Sequence, residues 1–259
     1  MPLRISFTML VVAFFLSIGI HLFAMSDPVT LYLDELKNQS AESQNLGLES
    51  PFQAPDREKI GTDSRILFIG DSHTVGPYGA ALDGFLRSTG GKVRSIGVAG
   101  SSPAWWLDKT VTHSGFWSRD ENGVVDCPAD WHTPRETPLL SDQIRDFQPT
   151  HLVISLGANL TGLQESQIKT QCDALLASAK PSGATLIWVG PPKRRDNQNQ
   201  DIMYGYLRLD VGSSAFFIDS RPFTEYPATG GDGIHYSTPE GTPIARSWAK
   251  QVFNLIFRQ

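Results

Sequence analysis

Short apolar runs alternate with amphipathic stretches along most of the chain. Five runs have the length and aliphatic content of buried strands, at positions 65–69, 93–96, 151–156, 185–189 and 215–218. Stretches with helical spacing lie between and after them, at 79–87, 141–147, 164–179, 201–209 and 242–257. This alternation predicts an α/β fold, a three-layer α/β/α sandwich with a parallel central sheet of about five strands.

The first 63 residues follow a different pattern. A nearly uncharged apolar stretch at 5–24 follows Arg4, and small residues come next at 24–26. This is typical of a secretory signal peptide, and a stretch of about 20 residues is also close to the length of an uncleaved membrane anchor. Both alternatives predict a periplasmic or extracellular location. We therefore expect a signal or anchor at 1–26, a polar linker at 27–63 with one short helix near 31–36, and one domain at 64–259.

Composition narrows the class of protein. The chain has 259 residues, 40% of them hydrophobic, 23 glycines and a net charge of −5, as expected of a globular enzyme rather than a fibrous or disordered chain. Its basic residues are scattered, which argues against nucleic acid as a partner. The short basic run at 193–195 is interpreted either as solvated surface or as a contact for an anionic group.

Polar residues that can carry acyl-transfer chemistry follow the predicted strands. Ser72, within Gly70-Asp71-Ser72-His73, comes directly after the first strand, where open α/β sheets place their active sites. Asp232 and His235 precede the last helix. Ser72 supplies a nucleophile, His235 a base with a pKa near neutrality, and Asp232 a carboxylate that orients the imidazole.

Ester chemistry also needs donors for the developing oxyanion. Gly100 ends a glycine-rich turn after the second strand, and Asn159 follows the third strand within Gly157-Ala158-Asn159. The backbone N–H groups of Ser72 and Gly100, together with the Asn159 amide, are therefore the candidate oxyanion hole.

These segments resemble the four blocks of the SGNH hydrolases, the GDSL family of esterases and lipases. Gly70-Asp71-Ser72 matches the first block, Gly100 the second, Asn159 the third and Asp232 with His235 the last, within residues 65–257. The resemblance implies a flavodoxin-like sheet and a Ser72–His235–Asp232 acyl-enzyme mechanism that needs no metal or organic cofactor.

Two positions depart from the family pattern. His73 stands where the family name has leucine, and Ser95 stands where the second block often has asparagine. Neither position carries a proposed catalytic atom. His73 is expected either to line the pocket or to pack beneath the turn.

An insertion at 101–138 interrupts the strand–helix rhythm, and we expect it to cover the active-site face because long loops in compact domains are usually functional. It contains Trp105, Trp106, Trp117 and Trp131. The first three are the candidate substrate-binding residues, since indoles stack on sugar rings; the alternative is a small satellite core.

The two cysteines, Cys127 and Cys172, lack the spacing of a redox or zinc motif. In an oxidising compartment we expect them to form a disulfide, the alternative being two buried free thiols. The histidines at 113, 132 and 151 are scattered, so no metal site is predicted.

The sequence thus predicts an exported serine esterase that removes O-acetyl groups from a cell-envelope or extracellular glycan. A lipase, lysophospholipase, thioesterase or O-acyltransferase with the same serine is the alternative within enzymes. A non-catalytic glycan-binding module is the alternative of another class. The missing second glycine of a G-x-S-x-G elbow argues against an α/β-hydrolase.

Overall fold

The computed structural model describes residues 61–196 and 200–257. In this part of the chain the strands are β1 (Arg65–Gly70), β2 (Lys92–Val98), β3 (Val111–Thr112), β4 (Phe116–Arg119), β5 (Val125–Asp126), β6 (Arg135–Glu136), β7 (His151–Ser155), β8 (Thr185–Val189) and β9 (Phe216–Ile218). The α-helices are α1 (Ser72–Val75), α2 (Pro77–Arg87), α3 (Trp105–Asp108), α4 (Leu140–Phe147), α5 (Glu165–Ala179), α6 (Gln200–Val211) and α7 (Gly241–Phe257).

The central sheet has seven strands in the order β5-β4-β2-β1-β7-β8-β9. The five predicted strands correspond to β2, β1, β7, β8 and β9, and they are all parallel. Numbered among themselves along the chain, they have the order 2-1-3-4-5 of the flavodoxin-like sheets. The predicted fold class is therefore confirmed. In this order the connection reverses direction between β1 and β7, and the crevice at their carboxyl ends is the expected site for chemistry.

Helices cover both faces of the sheet because side chains alternate along β1. Leu67 and Ile69 belong to one core cluster with residues of α4, α5 and α6. Phe68 points to the opposite face and packs edge-on against Tyr78 of α2. Tyr78 in turn stacks on Trp248 of α7, with ring centroids 3.5 Å apart. The three predicted layers are thus α4, α5 and α6, the sheet, and α2 with α7.

The insertion adds structure that the sequence pattern did not indicate. Its strands β4 and β5 extend the sheet beyond β2 in antiparallel orientation, while β3 and β6 form a separate two-stranded ribbon. Strands this short carry too few residues for a period of two to be visible in the sequence. Trp106 in α3 is completely buried in the core cluster.

The predicted disulfide is wrong. Cys127 is exposed on the insertion, whereas Cys172 is buried in α5 within the core, and both are free. Burial raises the pKa of the Cys172 thiol to about 12, so this side chain acts as a small apolar core residue. The alternative of two buried thiols holds only for Cys172.

The predicted signal or anchor at 1–26 and most of the linker at 27–63 lie outside the described residues. No helix within residues 61–196 and 200–257 has both the length and the apolar character needed to cross a membrane.

Candidate active site

Ser72 lies at the carboxyl end of β1, where the chain turns sharply into α1. The turn requires glycine at position 70, because a Cβ there would lie 2.0 Å from Oγ1 of Thr74 and 2.9 Å from the carbonyl oxygen of Ser155. Asp71 caps α1 by accepting a hydrogen bond from the His73 N–H at 3.0 Å. The sequence Gly70-Asp71 therefore places Ser72 at the reversal point of the sheet.

Three side chains form a continuous hydrogen-bond chain at this point. Nε2 of His235 lies 2.8 Å from Oγ of Ser72, and Nδ1 of His235 lies 2.5 Å from Oδ2 of Asp232. Asp232 accepts the Nδ1 proton of a neutral His235, which leaves Nε2 as the acceptor for the Ser72 hydroxyl. This is the geometry of a nucleophile, its base and the carboxylate that orients the base.

Asp232 is held in its charged form. Its partial burial by itself would raise the pKa, but the His235 side chain and the backbone N–H groups of His235 and Ile234 donate to the carboxylate and lower the pKa well below its usual range. The two backbone bonds are each 2.8 Å long. A carboxylate fixed in this way can stabilise the imidazolium that forms when His235 takes the serine proton.

The predicted oxyanion donors Gly100 and Asn159 line the same cavity as Ser72. Among the described residues the backbone N–H groups of Ser72 and Gly100 have no protein acceptor. Gly100 has a φ of +85°, which favours glycine at the end of this turn. The Asn159 amide donates to the carbonyl oxygen of Ser101 at 2.9 Å, which fixes its orientation and leaves its second N–H for a ligand.

These groups line one cavity of about 640 Å³. Ser72, Gly100, Asn159, Asp232 and His235 all contribute to its wall. The other lining residues are His73, Val75, Gly76, Pro77, Tyr78, Ala99, Ser114, Trp131, Tyr236, Ser237 and Ala245. The insertion thus supplies Ser114 and Trp131 to the cavity.

The two neighbours of Ser72 are buried and shifted towards their uncharged forms. Burial raises the pKa of Asp71 to about 7 and lowers the pKa of His73 to about 3. The ring of His73 lies between His235 and Trp248, with centroid distances of 5.4 and 5.8 Å. His73 therefore both lines the cavity and packs beneath the turn, so each of the two predicted alternatives holds in part.

The three tryptophans predicted to bind substrate do not line the cavity. Trp105 and Trp117 are half-buried and neither lines the cavity, while Trp106 is in the core, so this prediction is corrected for all three. Trp105 packs behind Gly100, since a Cβ on that glycine would lie 3.4 Å from the indole. Trp131 is the tryptophan that reaches the cavity, and sequence reasoning did not single it out.

Sequence reasoning also missed the residues that hold the loop carrying Asp232 and His235. The Tyr226 hydroxyl donates its one hydrogen to the His235 carbonyl oxygen at 3.0 Å, and the same hydroxyl lies 3.4 Å from Oδ1 of Asp232. Arg195 donates to the carbonyl oxygens of Pro227 and Gly230, and its guanidinium lies over the Tyr226 ring. Two side chains of the basic run at 193–195 thus bind their own chain, since Lys193 also pairs with Glu225 at 2.6 Å.

Ser95 does not face the cavity. It is fully buried, and its hydroxyl donates to Asp83 of α2 at 2.8 Å. The departure from asparagine at this position therefore concerns the packing of α2 on β2 and leaves the candidate active site unchanged.

No group of histidine, cysteine or acidic side chains within the described residues has the arrangement to hold a metal ion. The chemistry that this arrangement can perform is nucleophilic attack by Ser72 with proton transfer through His235.

Comparison with known proteins finds similarity in solved structures only. No protein-family model and no curated protein matches the sequence. Among solved structures, an acetyl xylan esterase from Geobacillus stearothermophilus is 19% identical, with 75% of this chain and 96% of that chain covered and a TM-score of 0.47.

Two further structures show the same level of similarity. A GDSL-like lipase from Bacteroides thetaiotaomicron is 14% identical over 84% of this chain and 96% of that chain, with a TM-score of 0.41. A family two carbohydrate esterase from Clostridium thermocellum, in complex with cellohexaose, is 15% identical over 74% of this chain and 63% of that chain, with a TM-score of 0.49. At these identities the likeness is one of fold, and the chemistry of the site rests on this chain's own residues.

Proposed function

We propose that this chain is a serine ester hydrolase of the SGNH type, exported from the cytoplasm, that removes O-acetyl groups from a cell-envelope or extracellular glycan. The observation that carries the proposal is the unbroken hydrogen-bond chain from Ser72 through His235 to Asp232. The same distances argue against a non-catalytic glycan-binding module, because a binding protein has no need of an aligned nucleophile and base.

In the proposed mechanism, Oγ of Ser72 attacks the carbonyl carbon of the ester while Nε2 of His235 takes the hydroxyl proton. The N–H groups of Ser72, Gly100 and Asn159 stabilise the oxyanion. The carbon–oxygen bond to the alcohol breaks, and His235 returns the proton to the departing oxygen. Water then attacks the acyl-enzyme with His235 as base, which releases the acid and restores Ser72.

Two features support export and an acetylated glycan as substrate. The apolar stretch at 5–24 after Arg4 has the pattern of a signal or anchor. An exposed indole, Trp131, stands at the cavity instead of an apolar tunnel formed by the tryptophans of the insertion. A tunnel of that kind is what the alternative, a lipase, would require for a long acyl chain.

The catalytic assignment is tested with the purified full-length protein and p-nitrophenyl acetate. We expect Ser72→Ala to lower kcat/KM by at least about 10³-fold, because removal of a nucleophile leaves only binding and the oxyanion hole. Ser213→Ala, which changes an exposed serine remote from the cavity, is the matched control and should behave as wild type. Equal activity of the Ser72 and Ser213 variants would contradict the proposal.

The substrate class is tested by comparing acetate release from O-acetylated peptidoglycan with fatty-acid release from lysophospholipid. We expect acetate release to be faster. The reverse ranking would support the lipase alternative, and acetyl transfer to an added glycan alcohol in preference to water would support the acyltransferase alternative. Fractionation of the cells that produce the protein tests export.

A further inference from the structure

Trp131 combines strong exposure with a place at the active-site cavity. Its relative exposure is 59%, and it lines the same cavity as Ser72 and His235. The other exposed large hydrophobic residues of the described chain are Val111, Val124, Val125, Ile202 and Leu209, none of which lines this cavity. Exposure alone is common for a single apolar side chain, but an exposed indole in the wall of the cavity that holds Ser72 is available to contact a bound substrate.

The turn that carries Trp131 holds the indole in place. We call residues 130–133 the indole turn. Oδ1 of Asp130 accepts from the His132 N–H at 2.9 Å, and the Asp130 carbonyl oxygen accepts from the Thr133 N–H at 3.0 Å. Nδ1 of His132 lies 3.1 Å from the carbonyl oxygen of His113, which ties the turn to the segment before β4. These bonds reduce the entropy that the turn would lose when it binds a ligand.

Contacts on two sides define the orientation of the indole. Its ring centroid lies 4.2 Å from that of His132, with the planes tilted by 44°. On the cavity side the six-membered ring lies against Gly115, where a Cβ would come within 3.8 Å of the indole and of Val75 and Ala99. Val75 and Ala99 themselves line the cavity, so the indole continues the cavity wall outwards to solvent.

Away from Val75 and Ala99, the exposed residues around Trp131 are polar. His113, Ser114, Asp130 and His132 are all exposed near the indole turn, and Ser114 also lines the cavity. A surface that binds only an acyl chain would continue the apolar wall of Val75 and Ala99 outwards without these polar groups. One flat apolar face surrounded by hydrogen-bonding groups matches a pyranose ring, which has C–H groups on its faces and hydroxyl groups around its edge.

We infer that Trp131 forms a sugar-binding subsite that stacks on a pyranose ring of the glycan whose O-acetyl group is presented to Ser72. This inference rests on the proposed function and names the residue that selects a glycan ester over a small ester. Trp131 binds the sugar and takes no part in the acyl transfer, so its removal should raise KM for glycan substrates more than KM for small esters.

The test compares two substrates with the full-length protein. We expect Trp131→Ala to raise KM for O-acetylated peptidoglycan by about tenfold or more, and Trp131→Phe to restore part of the loss because a smaller ring can still stack. With p-nitrophenyl acetate, which is small and has no sugar ring, we expect both variants to lose several-fold less kcat/KM than with the glycan. Leu209→Ala removes a side chain that is 74% exposed on α6 and is the matched control for lost apolar surface.

Binding without turnover gives a second readout. In a Ser72→Ala background, isothermal titration with soluble O-acetylated peptidoglycan fragments should show binding that the added Trp131→Ala change weakens by a similar factor. An equal effect of Trp131→Ala on both ester substrates, no effect on the glycan, or a loss confined to lysophospholipid would each overturn the subsite. Failure of the proposed function is separate, since it would appear as Ser72-independent hydrolysis in otherwise wild-type protein.

Discussion

At the scale of single residues, the two neighbours of Ser72 make the stability of the fold depend on pH in opposite directions. The folded-state pKa of Asp71, about 7, lies above its ordinary value because burial disfavours the carboxylate. Asp71 therefore stabilises the fold at low pH, and this contribution is lost as the pH rises from about 4 to 7. The folded-state pKa of His73, about 3, lies below its ordinary value, so its contribution is present above pH 6.5 and is lost as the pH falls towards 3.

Between pH 4.5 and 6.5 Asp71 makes stability fall with rising pH and His73 makes it rise. Removing one group should therefore reveal the pH dependence that the other group causes. We expect the free energy of unfolding of Asp71→Asn to fall on acidification more steeply than that of wild type, by up to about 1.4 kcal/mol per pH unit. The free energy of unfolding of His73→Leu should instead rise on acidification relative to wild type, by a similar amount. Urea unfolding at several pH values measures both slopes, and parallel profiles for all three proteins would contradict the prediction.

The roles of single residues could be predicted where a residue type has one characteristic role in acyl transfer. Ser72, Asp232, His235, Gly100 and Asn159 could be proposed from their places after strands and before the last helix, and the structure brings all five to one cavity. The tryptophans could not be sorted in this way. Adjacent indoles such as Trp105 and Trp106 have the same chemistry, and only the packing of α3 decides which ring is buried.

At the scale of elements, Asp232 and His235 lie on a segment that is neither helix nor strand. Its geometry therefore depends on side-chain contacts rather than on a backbone ladder. The Tyr226 hydroxyl donates to the backbone of His235 and lies beside Oδ1 of Asp232, and Arg195 packs on the Tyr226 ring while donating to the carbonyl oxygen of Gly230. These contacts hold the base and its carboxylate against Ser72.

Removing the Tyr226 hydroxyl should loosen this segment without unfolding the protein. We expect Tyr226→Phe to lower kcat for p-nitrophenyl acetate by about 3- to 10-fold with little change in KM, because one hydrogen bond contributes about 0.5–1.5 kcal/mol. Steady-state kinetics measures the split between kcat and KM. Tyr206→Phe, the same change at a half-buried position on α6, should keep the wild-type kcat. A Tyr226 variant no slower than the Tyr206 variant would show that the hydroxyl does not position the base.

The sequence predicted the elements of the parallel sheet better than the contacts between them. Buried strands such as β1 and β7 are continuous apolar runs, so their existence followed from the pattern alone. The contact of Arg195 with Gly230 joins positions 35 residues apart and has no motif. Strands β4 and β5 were missed because they are short and form only by pairing, β4 with β2 and β5 with β4, which the sequence does not reveal locally.

At the scale of the whole molecule, one buried carboxylate joins the insertion to the sheet and to a helix. Asp83 of α2 is 1% exposed, and its two carboxylate oxygens share the N–H of Arg87 Nε, each at 3.0 Å. It also accepts from the Ser95 hydroxyl of β2 at 2.8 Å and from Arg119 of β4 at 3.0 Å. Arg87 in addition donates to the carbonyl oxygens of Arg119 and Asp120, so the outer strands are tied to the layer that carries α2.

Neutralising this carboxylate should destabilise the protein without changing the chemistry at Ser72. We expect Asp83→Asn to lower the free energy of unfolding by about 3 kcal/mol, because two arginines would lose the charge that compensates them. None of these side chains lines the cavity, so kcat with p-nitrophenyl acetate at 25 °C should stay near wild type while the folded state persists. Asp173→Asn breaks a solvated pair with Lys169 on α5 and should cost far less. Equal losses in urea unfolding of the two variants would show that the Asp83 network does not hold the insertion to the sheet.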